Sequence, residues 1–273
     1  MEHTVTLMDG AVGTNLWAMA REAGIDQTPV WQYNMTCPGL VSALAERFVA
    51  AGSRLILTNT FCANAPMVAK YPGFTVEQTV SEGVRLARAA AGDRAQVALS
   101  VGPLEKLPRD ASERLAAAAA YDEQIGAGVA AGADCVLLQT FWDVELLTLA
   151  AERASALHVP VLCAMSFDAA GRTYGGGTPA DMAAALERFD PAALGLNCSC
   201  GPEASLQVLE QFRDCTDRPL LFKPNADSRA HSSLGFLRAV APALRYAAYV
   251  GGCCGTTPAD IACLRGYLDG QEL

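Results

Sequence analysis

Eight short apolar runs recur along this chain, at residues 5–8, 54–57, 96–101, 134–138, 159–165, 193–196, 219–222 and 247–250. Each is four to seven residues long and too continuous for a half-exposed strand. Strands buried on both faces of a parallel sheet read this way. The stretches between them follow another rhythm. Residues 39–51, 75–91, 111–131, 144–157, 179–188, 202–213, 233–244 and 258–268 carry apolar side chains at helical spacing. Gly52 stops the first, Thr75 is positioned to cap the second, and Pro179, Pro202 and Pro258 open three others. Proline suits a first helical turn because its missing N–H costs nothing there. Eight strand–helix units in 273 residues predict a (β/α)8 TIM barrel, one domain over 1–273. A doubly wound open sheet is the competitor, and Asp9-Gly10-Ala11-Val12-Gly13-Thr14 after the first strand lacks the dinucleotide-binding glycine spacing.

Composition narrows the function classes. Hydrophobic residues make up 51% of the chain and charged ones 18%, which gives a large core and argues against disorder. The net charge is −9 and lysines and arginines form no cluster, so nucleic acid is not an expected partner. Met1-Glu2-His3-Thr4-Val5 has neither the basic start nor the apolar core of a signal peptide, and no apolar stretch approaches the ~18 residues of a membrane span. A cytoplasmic protein without membrane association is the expectation. Its ten cysteines are then read in a reducing compartment, as small hydrophobes, metal ligands or reactive thiols.

Barrel chemistry sits at the C-terminal ends of the strands. There this chain places Asp9-Gly10, Thr58-Asn59-Thr60-Phe61, Gly102-Pro103, Gln139-Thr140, Ser166-Phe167-Asp168, Asn197-Cys198, Lys223-Pro224-Asn225 and Gly251-Gly252-Cys253-Cys254-Gly255-Thr256. Asp9, Gly10, Thr58, Asn59, Gln139, Ser166 and Asn197 are the candidate substrate-contacting residues. Cys198, Cys253 and Cys254 fall on the rims of strands 6 and 8, far apart in sequence and close in a closed barrel. Three thiolates with an open fourth position make a catalytic type of zinc site. The histidines His3, His158 and His231 do not fall with them. Glycines on both sides are expected to let the backbone turn sharply enough for adjacent cysteines to reach one ion. A thiol entering the fourth position would lose its proton and attack an electrophilic methyl group. The other cysteines, 37, 62, 135, 163, 200, 215 and 263, are read as packing residues. A vicinal Cys253-Cys254 disulfide is the alternative to metal binding.

At these residues the sequence resembles the homocysteine S-methyltransferase family, and most closely the homocysteine-binding module of its cobalamin-dependent members. The likeness runs from Leu7-Met8-Asp9-Gly10-Ala11-Val12-Gly13-Thr14 through Gly195-Leu196-Asn197-Cys198 and Pro224-Asn225-Ala226 to the segment GGCCGTTP at 251–258. It implies a (β/α)8 barrel with zinc on Cys198, Cys253 and Cys254. It also implies that Asp9 and its loop hold the amino acid part of the thiol, and that Asn225 occupies the fourth zinc position before substrate arrives. Two departures stand out. Gln139-Thr140 replaces a Glu-Thr whose carboxylate meets the substrate ammonium in many members, and Asp227 breaks a Pro-Asn-Ala-Gly segment. An amide supplies no charge to offset a buried ammonium.

Three functions follow. The first is methyl transfer to homocysteine or a related thiol, the methyl arriving on a separate methylcorrinoid protein; a small sulfonium or betaine donor, or a thiol without an amino group, is the variant. The second is a zinc- and thiol-binding protein without turnover, and the third a redox protein using Cys253-Cys254. Trp17, Trp31 and Trp142 are read as packing or rim aromatics and Asp143 as a helix cap at least as much as a catalytic group. Lys223 either neutralises a carboxylate of the site or merely lies near the rim.

Overall fold

The apolar runs become strands because each is flanked by a helix that covers its outer face. The computed structural model describes residues 4–226 and 232–271. Its strands are β1 (Thr6–Leu7), β2 (Leu55–Leu57), β3 (Gln96–Val101), β4 (Cys135–Phe141), β5 (Val161–Met165), β6 (Ala193–Asn197), β7 (Leu220–Lys223) and β8 (Tyr249–Val250). All pairs are parallel, in the order β1-β8-β7-β6-β5-β4-β3-β2. The two ends of the sheet meet. Met8 bridges Leu55, the Arg54 N–H donates to the Leu7 carbonyl at 2.7 Å, and the Asp9 N–H donates to the Leu55 carbonyl at 3.2 Å. The fold is a (β/α)8 barrel.

Side chains alternate along each strand, and here the alternation separates two cores. Met8, Leu55, Leu57, Ala98, Cys135, Leu137, Leu162, Ala164, Ala193 and Leu221 pack together inside the barrel. Their strand neighbours, among them Leu7, Ile56, Val97, Val136, Cys163, Leu194 and Phe222, join the helices in the outer core. Two residues further along, the inward positions change character. Ser100 follows Ala98, Gln139 follows Leu137 and Lys223 follows Leu221; Asn197 stands at the same level, two beyond Gly195, and all four polar side chains are buried. The barrel is thus filled with apolar side chains below and capped by a polar layer at the C-terminal ends of its strands.

The expected helices form at Pro38–Ala50, Val76–Ala91, Ala111–Ala130, Val144–Ser155, Pro179–Leu186, Pro202–Cys215, Ser233–Val240 and Pro258–Leu268. Two stop short of the periodic pattern and tighten into 3-10 turns at Glu187–Phe189 and Ala243–Arg245. Asp190 in the left-handed region ends the first, and Pro242, which has no N–H to donate, precedes the second. Asp143 is a cap: its Oδ1 accepts from the Glu145 and Leu146 N–H groups at 2.8 and 3.1 Å. A further helix, Val12–Glu22, follows β1 without a sequence signal, since Ala11 at its start makes no side-chain capping bond. Trp31 is buried against Tyr71 and Phe74, whereas Trp17 is exposed and Trp142 stacks edge-on to the exposed Tyr174. Among the described residues no helix is long and apolar enough to cross a membrane.

Candidate metal centre

Beyond β8 the chain squeezes between two neighbours. A Cβ on Gly251 would lie 2.5 Å from the Asp9 carbonyl oxygen, and one on Gly252 would lie 2.4 Å from Thr256 Oγ1. Gly251 and Gly252 thus answer crowding, and the expected turn falls on the glycine beyond the pair. Neither has a positive φ; the left-handed residue is Gly255, after the pair, at φ +84°. The Cys253 N–H then donates to the Pro224 carbonyl at 2.8 Å and the Ala226 N–H to the Cys254 carbonyl at 2.9 Å, so the cysteine pair is laced to the exit of β7.

Cys198 arrives from the other side of β7. Its backbone is left-handed at φ +49°, held by its own N–H on the Lys223 carbonyl at 3.3 Å and by Ser166 Oγ, which donates to the Cys198 carbonyl at 2.7 Å. Thr140, across the mouth, is left-handed too, at φ +60°. Such a backbone is unusual for a β-branched residue, and strain of about 1–3 kcal/mol of this kind collects at functional sites. The Asn197 carboxamide braces it. Its Oδ1 accepts from the Thr140 N–H at 2.6 Å, and its Nδ2 lies 2.7 Å from Thr140 Oγ1, 3.2 Å from Gln139 Oε1 and 3.8 Å from Cys253 Sγ.

Three sulfurs converge as a result. The Sγ atoms of Cys198, Cys253 and Cys254 all lie within 4.8 Å of one another, and those of Cys198 and Cys254 are 3.5 Å apart. Cys198 and Cys253 are half-buried and Cys254 is exposed. The thiols titrate as a unit. Hydrogen bonds to Cys253 and Cys254, then burial, push Cys198 up, while donation from Cys198 and Cys253 holds Cys254 down at about 3. Hydrogen bonds from its two neighbours thus favour the thiolate form of Cys254, and a cation would offset the repulsion among three thiolates. Among the described residues no carboxylate or imidazole joins the three sulfurs, and three thiolates form a soft donor set that suits zinc. His158 sits beyond helix Val144–Ser155, before β5. His3, His231 and Asp227 lie outside the described residues.

The remaining candidates separate into two groups. Gln139, Asn197 and Ser166 ring the cysteines through the contacts above. Asp9 lies beneath, 1% exposed: its Oδ2 accepts from the Leu57 N–H at 2.7 Å and its Oδ1 from Lys223 Nζ at 2.7 Å. Lys223 also donates to the Asp9 carbonyl at 2.6 Å, so it does neutralise a carboxylate. Thr58, Asn59 and Gly10 are engaged elsewhere. Thr58 Oγ1 bonds Thr60 Oγ1 and accepts from the Ser100 N–H, and Asn59 Nδ2 donates to the Val30 carbonyl and to Asn34 Oδ1. A Cβ on Gly10 would meet Thr256 Oγ1 at 2.8 Å and Phe48 at 2.9 Å. Ser100 was missed by sequence reasoning, although it is the single buried polar position in the run QVALSV of β3. Asn225 donates through Nδ2 to the Ser199 carbonyl at 2.6 Å, and its buried Oδ1 has no hydrogen-bond partner among the described residues.

The homocysteine S-methyltransferase family model matches residues 6–268, from β1 to the last helix. The chain belongs to the homocysteine S-methyltransferase family. Methionine synthases of Mycobacterium leprae and Mycobacterium tuberculosis are each 28% identical to it, over 94% and 96% of this chain. The chain spans 24% of the length of each of those relatives. Among solved structures, the metallated form of the homocysteine methyltransferase MmuM from Escherichia coli superposes with a TM-score of 0.82 at 25% identity, covering 97% of each chain.

Proposed function

We propose that this family member is a zinc-dependent thiol S-methyltransferase, with the metal held by Cys198, Cys253 and Cys254 and homocysteine or a related thiol as acceptor. The observation that carries this reading is the convergence of three sulfurs, from two strand ends, within 4.8 Å. Zinc bound there supplies the Lewis acidity that keeps a fourth sulfur deprotonated near neutral pH. This chain's own residues do the rest. Cys254 is exposed and turns the open side of the cluster towards the mouth. Asn197 reaches Cys253 Sγ through its amide N–H, which orients the sulfur and moderates its charge. Ser166 fixes the Cys198 carbonyl and with it the left-handed turn that aims the thiol. Asn225, whose Oδ1 has no partner among the described residues, is the candidate occupant of the fourth position before the thiol binds.

The sequence's resemblance to the cobalamin-dependent members of the family favours a methylcorrinoid protein as the methyl source, with a sulfonium or betaine donor as the alternative. A redox role for Cys253 and Cys254 needs two sulfurs and leaves the approach of Cys198 without a purpose. Zinc content per chain, on protein purified under reducing conditions, tests the proposal. About one zinc in the parent and little in Cys254→Ser is the expected result for a three-thiolate site. A parent that stays zinc-free after reconstitution overturns it. Protein that passes is then assayed for methyl transfer to homocysteine from a methylcorrinoid, a betaine and a sulfonium.

A further inference from the structure

We propose that the acceptor thiol of this site carries no ammonium group, and that Gln139 sets this preference. The inference rests on the thiol-methyltransferase reading and names its substrate class. It starts from a charge inventory of the mouth. The inward polar layer consists of Ser100, Gln139, Asn197 and Lys223, and the one charge in it, on Lys223, is cancelled by Asp9 at 2.7 Å, with both side chains 1% exposed. Other carboxylates near the strand ends, among the described residues, are already engaged. Asp143 caps a helix, Asp168 accepts from the Ala170 and Arg172 N–H groups of its own loop, and Glu105 pairs with Lys70 at the surface.

Gln139 itself is fixed. Its Nε2 donates to Ser100 Oγ at 2.6 Å and its Oε1 accepts from Asn197 Nδ2 at 3.2 Å, with the residue 7% exposed. The amino group of homocysteine stands on the third carbon from the sulfur. With the sulfur anchored among the cysteines, that ammonium enters the layer of side chains next to them. There it meets neutral dipoles among the described residues. Neutral acceptors, Asn225 Oδ1 included, hydrogen-bond an ammonium but do not offset the loss of its hydration in a confined site. A thiol with the same chain and no amino group avoids that cost. The arrangement would accept a carboxylate at this position with little rearrangement. Asn197 already donates to Oε1, and the Ser100 hydroxyl can turn to donate to the other oxygen.

The test uses a matched pair of thiols, L-homocysteine and 4-mercaptobutyrate, which differ by the amino group alone. Their binding to the zinc-loaded protein is measured by calorimetry at pH 7 and pH 8, in the parent and in Gln139→Glu. The parent is expected to bind 4-mercaptobutyrate at least as tightly as homocysteine. Gln139→Glu should move the preference towards homocysteine by about tenfold or more, the scale of a charge-assisted hydrogen bond. A parent that favours homocysteine tenfold, or a variant whose preference moves at neither pH, overturns the proposal and leaves the thiol-methyltransferase reading standing. If neither thiol binds, that reading fails and the proposal falls with it. Binding is readable without a methyl donor, and the comparison within the parent holds even if the variant folds poorly.

Discussion

Cys163 lies in the middle of β5 and Cys198 just past the end of β6, and four residues of strand separate an apolar packing group from a candidate ligand. Cys163 is fully buried between sheet and helices, where loss of solvation pushes its thiol up to about 12. Cys135, inside the barrel, is likewise raised to about 12 by burial and then by the Asp134 charge. The rim cysteines have the same side chain but face one another across a mouth lined with hydrogen-bonding groups. The contrast teaches that in this barrel position along a strand decides chemistry, and residue type only permits it.

The largest effect should come from removing a rim sulfur. Cys198→Ser or Cys254→Ser is expected to lower zinc from about one per chain to a small fraction and to reduce methyl transfer by more than ~100-fold, with unfolding by urea little changed. A strand-interior change that did the same to zinc would break the comparison.

Next in size is the ion pair under the cluster. Lys223→Met leaves the Asp9 carboxylate buried beside an apolar side chain, and chemical denaturation should record a loss of about 3–5 kcal/mol. Lys223 thus belongs with the stability set although it sits at a strand end, which sharpens the boundary. Asn197→Ala tests the layer between. It removes the brace on Thr140 and the donor to Cys253, and zinc affinity measured by chelator competition should weaken by ~10- to 100-fold.

The smallest effect belongs to Cys163. Cys163→Ala should cost about 1 kcal/mol at pH 7 and leave zinc untouched. Its pH behaviour carries a sign. A thiol held at about 12 in the fold, against 9.0 as the unperturbed value, contributes stability that is complete below pH 9 and lost as pH rises towards 12. Urea titrations of the parent should therefore lose about 1.4 kcal/mol at pH 10 through this residue, a loss that Cys163→Ala escapes.

Sequence reading reached the barrel because buried parallel strands are written as continuous apolar runs, and all eight fall within a few residues of their observed bounds. It missed helix Val12–Glu22, whose first turn carries no capping side chain to announce it. The cysteine trio was legible because strand ends converge by topology alone. The pairing of Asp9 with Lys223 was not, since the two are separated by 214 residues and neither one's neighbours predict which carboxylate a rim lysine will meet. The left-handed backbones of Thr140 and Cys198 were equally hidden, because only tertiary bracing makes a non-glycine residue keep them.

The separation of 56 positions between Cys198 and Cys254 also bears on how the protein matures. Synthesis yields the first sulfur well before the other two, and a lone thiolate competes poorly for zinc against cellular buffers. For the centre proposed here, the coordination sphere comes into being only when β6 and β8 have both docked on β7. A small zinc finger waits for its ion in order to fold. This barrel instead has its own core, so metal loading at the proposed centre would be a late step performed on a finished scaffold. Under zinc shortage the cell would accumulate a folded, dormant pool that can be switched on without new synthesis.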